Sequence, residues 1–149
     1  MFVTNYLMLV ILGLPFTPMP QHTILLVGGA DSETATLSTE TVDDLCRIKF
    51  CFRGQTIEVL DFDYFEAFIQ VRNRLEQERL IPVCYGASLN VFPSGMCRSM
   101  GEGLKAYRLK PGQMVKGEDL VGIFDTGPDV IPATVSGQRE YYEQWLNKS

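Results

Sequence analysis

Apolar and polar positions alternate most regularly over Cys46-Arg-Ile-Lys-Phe-Cys-Phe-Arg53. Cys46, Ile48, Phe50 and Phe52 fall on one side, and Arg47, Lys49, Cys51 and Arg53 on the other. A period of two with one apolar side predicts a half-buried strand of an antiparallel sheet. Arg53-Gly54 supplies a turn, and Gln55-Thr-Ile-Glu-Val-Leu60 returns with Ile57 and Val59 inward, completing a β-hairpin. The period then changes. Phe65, Phe68, Ile69, Arg72 and Leu75 recur at helical spacing, which predicts an amphipathic helix running to about Glu78. Asp61 is a candidate N-cap, with Leu60 and Phe65 as a hydrophobic staple. Asp63 with Glu66 offers a competing capping box. Capping accounts for all three acids without a metal or acid–base role.

Before the hairpin, Thr23-Ile-Leu-Leu-Val27 reads as a buried strand ended by Gly28-Gly29, and residues 30–44 read as a mobile polar loop. After the helix, Leu80-Ile-Pro-Val-Cys-Tyr85 reads as a strand whose Pro82 suits an edge. Lys105-Ala-Tyr-Arg-Leu109 reads as a strand and Lys110-Pro-Gly-Gln113 as a type II turn. Residues 117–124 read as a short helix. Thr134 caps a last helix whose apolar face is Tyr141, Tyr142, Trp145 and Leu146. The elements together predict an α+β fold: an antiparallel sheet with a hairpin, one long helix after it, and a C-terminal helix packed on one face.

Residues 84–107 stand apart. Gly86, Gly95, Gly101 and Gly103 are mixed there with Tyr85, Leu89, Val91, Phe92, Met96, Met100 and Leu104. Glycine among large apolar residues indicates a folded loop with tight turns, unlike a solvated linker. Two uses of it compete: a ligand loop, or a piece of core in which Phe92, Met96, Met100 and Leu104 pack on the sheet.

The N-terminus is apolar over residues 6–14 and then carries Pro15, Pro18 and Pro20. The run is too short for a membrane-spanning helix, and no Lys or Arg precedes Arg47 as a secretory signal would require. A packed N-terminal element, a degenerate signal or anchor, and an upstream extension with Met19 as an alternative start remain open, export being the least favoured. The expected organisation is an extension over 1–22 and one domain over 23–149.

Charge adds detail to this picture. The net charge of −5 argues against a nucleic-acid partner. Residues 28–44 hold five acids (Asp31, Glu33, Glu40, Asp43, Asp44) and no base. Residues 84–116 hold Arg98, Lys105, Arg108, Lys110 and Lys116 against Glu102 alone. The first stretch is a candidate docking surface for a protein partner. The second is a candidate anion or ligand loop, built from Tyr85, Ser88, Asn90, Ser94, Arg98, Lys105 and Arg108.

Four cysteines without a CxxC pair, and the single histidine His22, give no metal-site spacing. They read as reduced cysteines of a cytoplasmic protein, with a Cys84–Cys97 disulfide left open. No dinucleotide fingerprint, Walker loop or phosphatase-type Cys-x5-Arg occurs. Asp125-Thr126-Gly127 matches the aspartic-protease tripeptide, but the sequence holds no second copy of it and Pro128 favours a plain turn. No catalytic residue, cofactor or metal is therefore assigned.

Asp61-Phe-Asp-Tyr-Phe-Glu-Ala-Phe, Cys84-Tyr-Gly-Ala-Ser-Leu-Asn-Val-Phe-Pro-Ser-Gly-Met and Gly103-Leu-Lys-Ala-Tyr together resemble a group of small bacterial proteins, themselves similar to the immunity partners encoded beside polymorphic, Rhs-type toxins. The resemblance covers roughly residues 45–148 and brings no catalytic residue and no ligand with it. It implies a cytosolic binding protein that neutralises a toxin by occluding its active surface. The expected function is thus a protein-interaction module. The alternative is a small enzyme or anionic-ligand-binding domain using residues 84–108.

Overall fold

A computed structural model describes residues 19–148. The apolar run at 6–14, with Pro15 and Pro18 and the alternatives weighed for them, lies outside the described residues. Five strands form one antiparallel sheet: β1 (Gln21–Val27), β2 (Glu33–Val42), β3 (Leu45–Phe52), β4 (Gln55–Asp61) and β5 (Ile81–Val83), in the spatial order β4-β3-β2-β1-β5. The chain leaves the β4 edge, forms helix α1 (Tyr64–Glu76) and returns to the far edge as β5. A second sheet of three strands follows: β6 (Val91–Phe92), β7 (Lys105–Arg108) and β8 (Leu120–Gly122). Helix α2 (Gly95–Met100) lies between β6 and β7, and α3 (Val135–Lys148) closes the chain. The architecture is α+β, as the patterning predicts. No helix among the described residues is long and apolar enough to cross a membrane.

The inner face of the large sheet carries Ile24, Leu26, Ala35, Leu37, Cys46, Ile48, Phe50 and Phe52, all buried. They form one core with Phe65, Phe68, Ile69 and Leu75 of α1, so both apolar periods read from the sequence converge here. The type II turn is present: Gln113 N donates to Lys110 O at 3.1 Å, and Gly112 has φ +70°. Thr134 Oγ1 accepts from Gly137 N at 3.1 Å at the start of α3.

Several expectations are corrected. Residues 33–42, read as loop, are strand β2, pairing with β1 on one side and β3 on the other. Its inward positions are Ala35, Leu37 and Thr39, too small and polar to announce a strand. Helix α1 is capped by Asp63, whose Oδ1 accepts from Glu66 N at 2.7 Å, because β4 continues through Asp61. The Leu60–Phe65 staple does not form, since Leu60 is exposed. Residues 117–124 are one 3₁₀ turn (Gly117–Asp119) followed by β8. Met96 and Met100 are not core, although Phe92 is. Cys84 and Cys97 are free thiols, so no disulfide joins them.

A polar hub lies inside the apolar core. Arg72, on the buried stripe of α1, is 1% exposed. Its guanidinium donates to Gly86 O (3.1 Å), Ala133 O (3.1 Å) and Gln138 Oε1 (2.7 Å). Gln138, also 1% exposed, donates from Nε2 to Gly86 O (3.0 Å), Ser88 O and Val91 O (both 2.9 Å). Arg72 has no ion pair among the described residues, so carbonyl dipoles hold its charge. Burial pulls its pKa down to about 10, which leaves it charged at neutral pH. Glu76 Oε2 accepts from Val135 N at 3.0 Å, so the same helix also caps α3. Residues 84–91 and α3 are thus fixed to α1 by one helix face.

The buried thiols give this core a pH dependence. Burial pushes Cys84 up to about 12. Burial, with the carboxylates Glu102, Asp63 and Asp61, pushes Cys46 up to about 11. In the unfolded chain both ionise near the ordinary thiol value, about 9. Above that pH the unfolded state holds fewer protons than the folded one, so stability falls as pH rises. Cys84 alone is expected to lower stability by about 1.4 kcal/mol at about pH 10, with Cys46 acting in the same direction. Urea midpoints measured from about pH 8 to about pH 10 should fall in the native chain and fall less steeply in Cys84→Ala, where Cys46 alone remains.

Candidate functional site

Two hairpin turns set the ends of the sheet. Asp43 and Asp44 have φ 50° and 66°, and Arg53 and Gly54 have φ 50° and 71°, so each pair occupies a type I′ turn. Aspartate tolerates the left-handed region better than most residues, which gives the acidic pair a backbone reason to be there. Glu33 and Asp43 stand at opposite ends of β2, with Asp31 just before it, Glu40 near its far end and Asp44 just beyond. At ~3.3 Å per residue its ends stand about 30 Å apart, so the acids of 31–44 do not form one patch.

Asp31 and Glu33 lie at one end. Glu33 forms a two-point ion pair with Arg53 across the sheet, at 2.7 and 2.8 Å, which holds its carboxyl below the usual range. Glu40, Asp43 and Asp44 lie at the other end, where acids from distant parts of the chain join them. Cys46 pairs with Asp61 in the β3–β4 register and its thiol donates to Phe62 O at 3.9 Å, so the end of β4 lies beside the strand that follows the Asp43-Asp44 turn. Thr41 Oγ1 is 3.3 Å from Tyr64 OH. Tyr64 N donates to Glu102 O at 2.7 Å, bringing the turn after α2 onto the start of α1. That approach requires Gly103: it has φ +73°, and a Cβ there would lie 2.8 Å from Asp63 Oδ1. One end of the molecule therefore collects Glu40, Asp43, Asp44, Asp61, Asp63, Glu66 and Glu102.

This acidic pole acts on the groups beneath it. Tyr64 has its pKa raised, first by burial and then by charges that include Glu102 and Glu40. Two arginines reach into the pole. Arg47 Nη1 pairs with Glu40 at 2.9 Å, and Arg98 Nη1 lies 3.2 Å from Glu66 and 3.7 Å from Asp63. Asp43, Asp44, Asp61 and Glu102 make no ion pair among the described residues. Large apolar side chains stand in the open on the same end: Phe62 is 85% exposed, Met100 81% and Leu60 46%. Met96, one helical turn before Met100, is 71% exposed. Exposed apolar side chains set among charged ones are the usual form of a protein-binding surface.

The residues of the expected anion loop are spread out and engaged in other contacts. Arg98 sits over the Phe65 ring at 5.0 Å and pairs with the acidic pole. Arg108 pairs with Asp129 at 2.8 Å and lies over the Tyr85 ring. Tyr85 OH donates to Asp129 Oδ1 at 2.6 Å, and that bond with Arg108 holds the Asp129 carboxyl below the usual range. Ser88 Oγ accepts from Ile131 N (2.9 Å) and donates to Asn90 Oδ1 (3.0 Å), and Ser94 caps α2. Lys105 is exposed at the start of β7. These contacts tie the 125–131 loop and α2 to the body of the fold, and they do not converge on one point. No group of His, Cys, Asp and Glu suited to hold a metal occurs among the described residues. No protein-family model and no curated protein matches this chain.

Proposed function

We propose that the protein is an immunity-like interaction module that works in the cytoplasm. It binds one basic protein partner, such as a toxin domain, at the acidic pole and covers that partner's active surface. The observation that carries this reading is Phe62, 85% exposed at the end of the molecule where Asp43, Asp44, Asp61 and Glu102 make no ion pair among the described residues. A phenylalanine ring left this open among uncompensated charge is available to a partner's apolar surface. The surrounding charge supports a basic partner: complementary potentials steer encounter and reject acidic competitors. The negative charge of the whole chain acts in the same sense.

The test is co-expression with the product of the adjacent gene. A stable complex that weakens as salt rises, together with relief of that product's toxicity, is the expected result. Separate migration of the two proteins with no relief would sink the reading.

A further inference from the structure

The two edges of the large sheet are finished differently. β5 is three residues long and contains Pro82, which has no N–H to offer a newcomer. β4 is seven residues of regular ladder, Gln55-Thr-Ile-Glu-Val-Leu-Asp61, with no proline and no lysine. No strand pairs with its outer side among the described residues.

The two-residue turn fixes which groups face outward. Phe52 and Gln55 close the Arg53-Gly54 turn as a hydrogen-bonded pair, so Gln55, Ile57, Val59 and Asp61 direct their backbone groups at β3. Thr56, Glu58 and Leu60 direct theirs away from the sheet, and all three are exposed. This row of free donors and acceptors leads directly to Phe62 and the acidic pole.

We propose that the outer edge of β4 receives an extended segment of the basic partner as a sixth strand of the sheet. The proposal rests on the interaction-module reading and specifies how the partner is held. Charge selects the occupant. Glu58, in the middle of the edge, already pairs with Arg47 at 3.2 Å and stands opposite Lys49, so the open charge lies at the end of the edge, where Asp61 and the acidic pole favour a segment carrying lysine or arginine. Apolar residues would lie beside Leu60 and Phe62, which share the parity of Glu58. A second copy of this chain would instead bring two acidic edges together, within a protein of net charge −5. Main-chain bonding of this kind gives affinity, and alternate side chains give specificity.

Amide hydrogen exchange on the full chain, alone and mixed with the adjacent gene's product, tests this. The complex should slow exchange at Thr56, Glu58 and Leu60 by about 100-fold or more and leave Ile57 and Val59 unchanged. Glu58→Pro, which removes one outward N–H, should weaken binding well beyond Glu58→Gln, which keeps it. A complex that forms without this alternating protection overturns strand addition and leaves the interaction-module reading standing. Absence of any complex overturns both. Alternating protection that grows with concentration of the protein alone would identify a second copy as occupant and overturn the choice of a basic partner.

Discussion

Arg72→Ala is expected to lower the unfolding free energy by about 3–5 kcal/mol, a large share of what a domain of this size possesses. The substitution removes a long side chain from a packed interior. It also leaves Ala133 O and Gln138 Oε1 without the donor that Arg72 supplied. An unpaired buried acceptor costs about 1–3 kcal/mol, and the cavity adds to that. Arg72→Met should recover part of the packing and none of the hydrogen bonds. It therefore falls between Ala and the native residue. The usual near-neutrality of replacing a buried ion pair by apolar residues does not apply, because two of the three acceptors, Gly86 O and Ala133 O, are backbone carbonyls that no companion mutation can delete.

Gln138→Ala should cost about 2–4 kcal/mol by the same reasoning, since three carbonyls lose a donor at once. The two losses should not add. Both side chains serve Gly86 O and bind each other, so a double-mutant cycle should return a coupling of about 1–3 kcal/mol. Urea denaturation of the four proteins measures it. Additivity within about 0.5 kcal/mol would show that the hub is not one unit.

The hub also marks how far the sequence could be read. Arg72 falls on the apolar stripe of the predicted helix, and an arginine at a core position is a visible anomaly. Its principal partner lies 66 residues away, however, and no local pattern reports that distance. Hairpin β3–β4 was legible because large apolar side chains alternate with charges. β2 was not, because its inward face is alanine, leucine and threonine while its outward face is threonine, serine and glutamate. The signal present there was β-branched: Thr34, Thr36, Thr39 and Thr41 suit a pleated strand, and Asp43-Asp44 suits a type I′ turn. The helix start was ambiguous between two aspartates two residues apart, and the length of β4 settled it. The acidic pole was the least legible feature. It joins acids from β2, β4, α1 and the turn after α2, and only the strand register and the close approach at Gly103 bring them together.

Phe62→Ser is expected to weaken binding of the adjacent gene's product by about 1–3 kcal/mol, a loss of roughly ten- to a hundred-fold, while leaving stability within about 0.5 kcal/mol. The two effects separate because the Phe62 ring is exposed, whereas its backbone bonds are independent of the side chain: N donates to Asp61 Oδ1 and O accepts from the Cys46 thiol. A side chain of similar exposure away from the pole supplies the control, and Met114, 84% exposed in the loop before β8, is suitable. Met114→Ser should leave binding unchanged. The electrostatic half of the surface needs a variant that removes charge without loosening the fold. Asp43→Asn with Asp44→Gly does so, because Asn-Gly is the preferred pair for the type I′ turn that both aspartates occupy. Stability should hold or rise, the association rate should fall, and the salt dependence of binding should flatten. If binding by this double variant matches the native chain at low salt, the aspartates serve the turn alone, and the partner's contact with the pole is apolar.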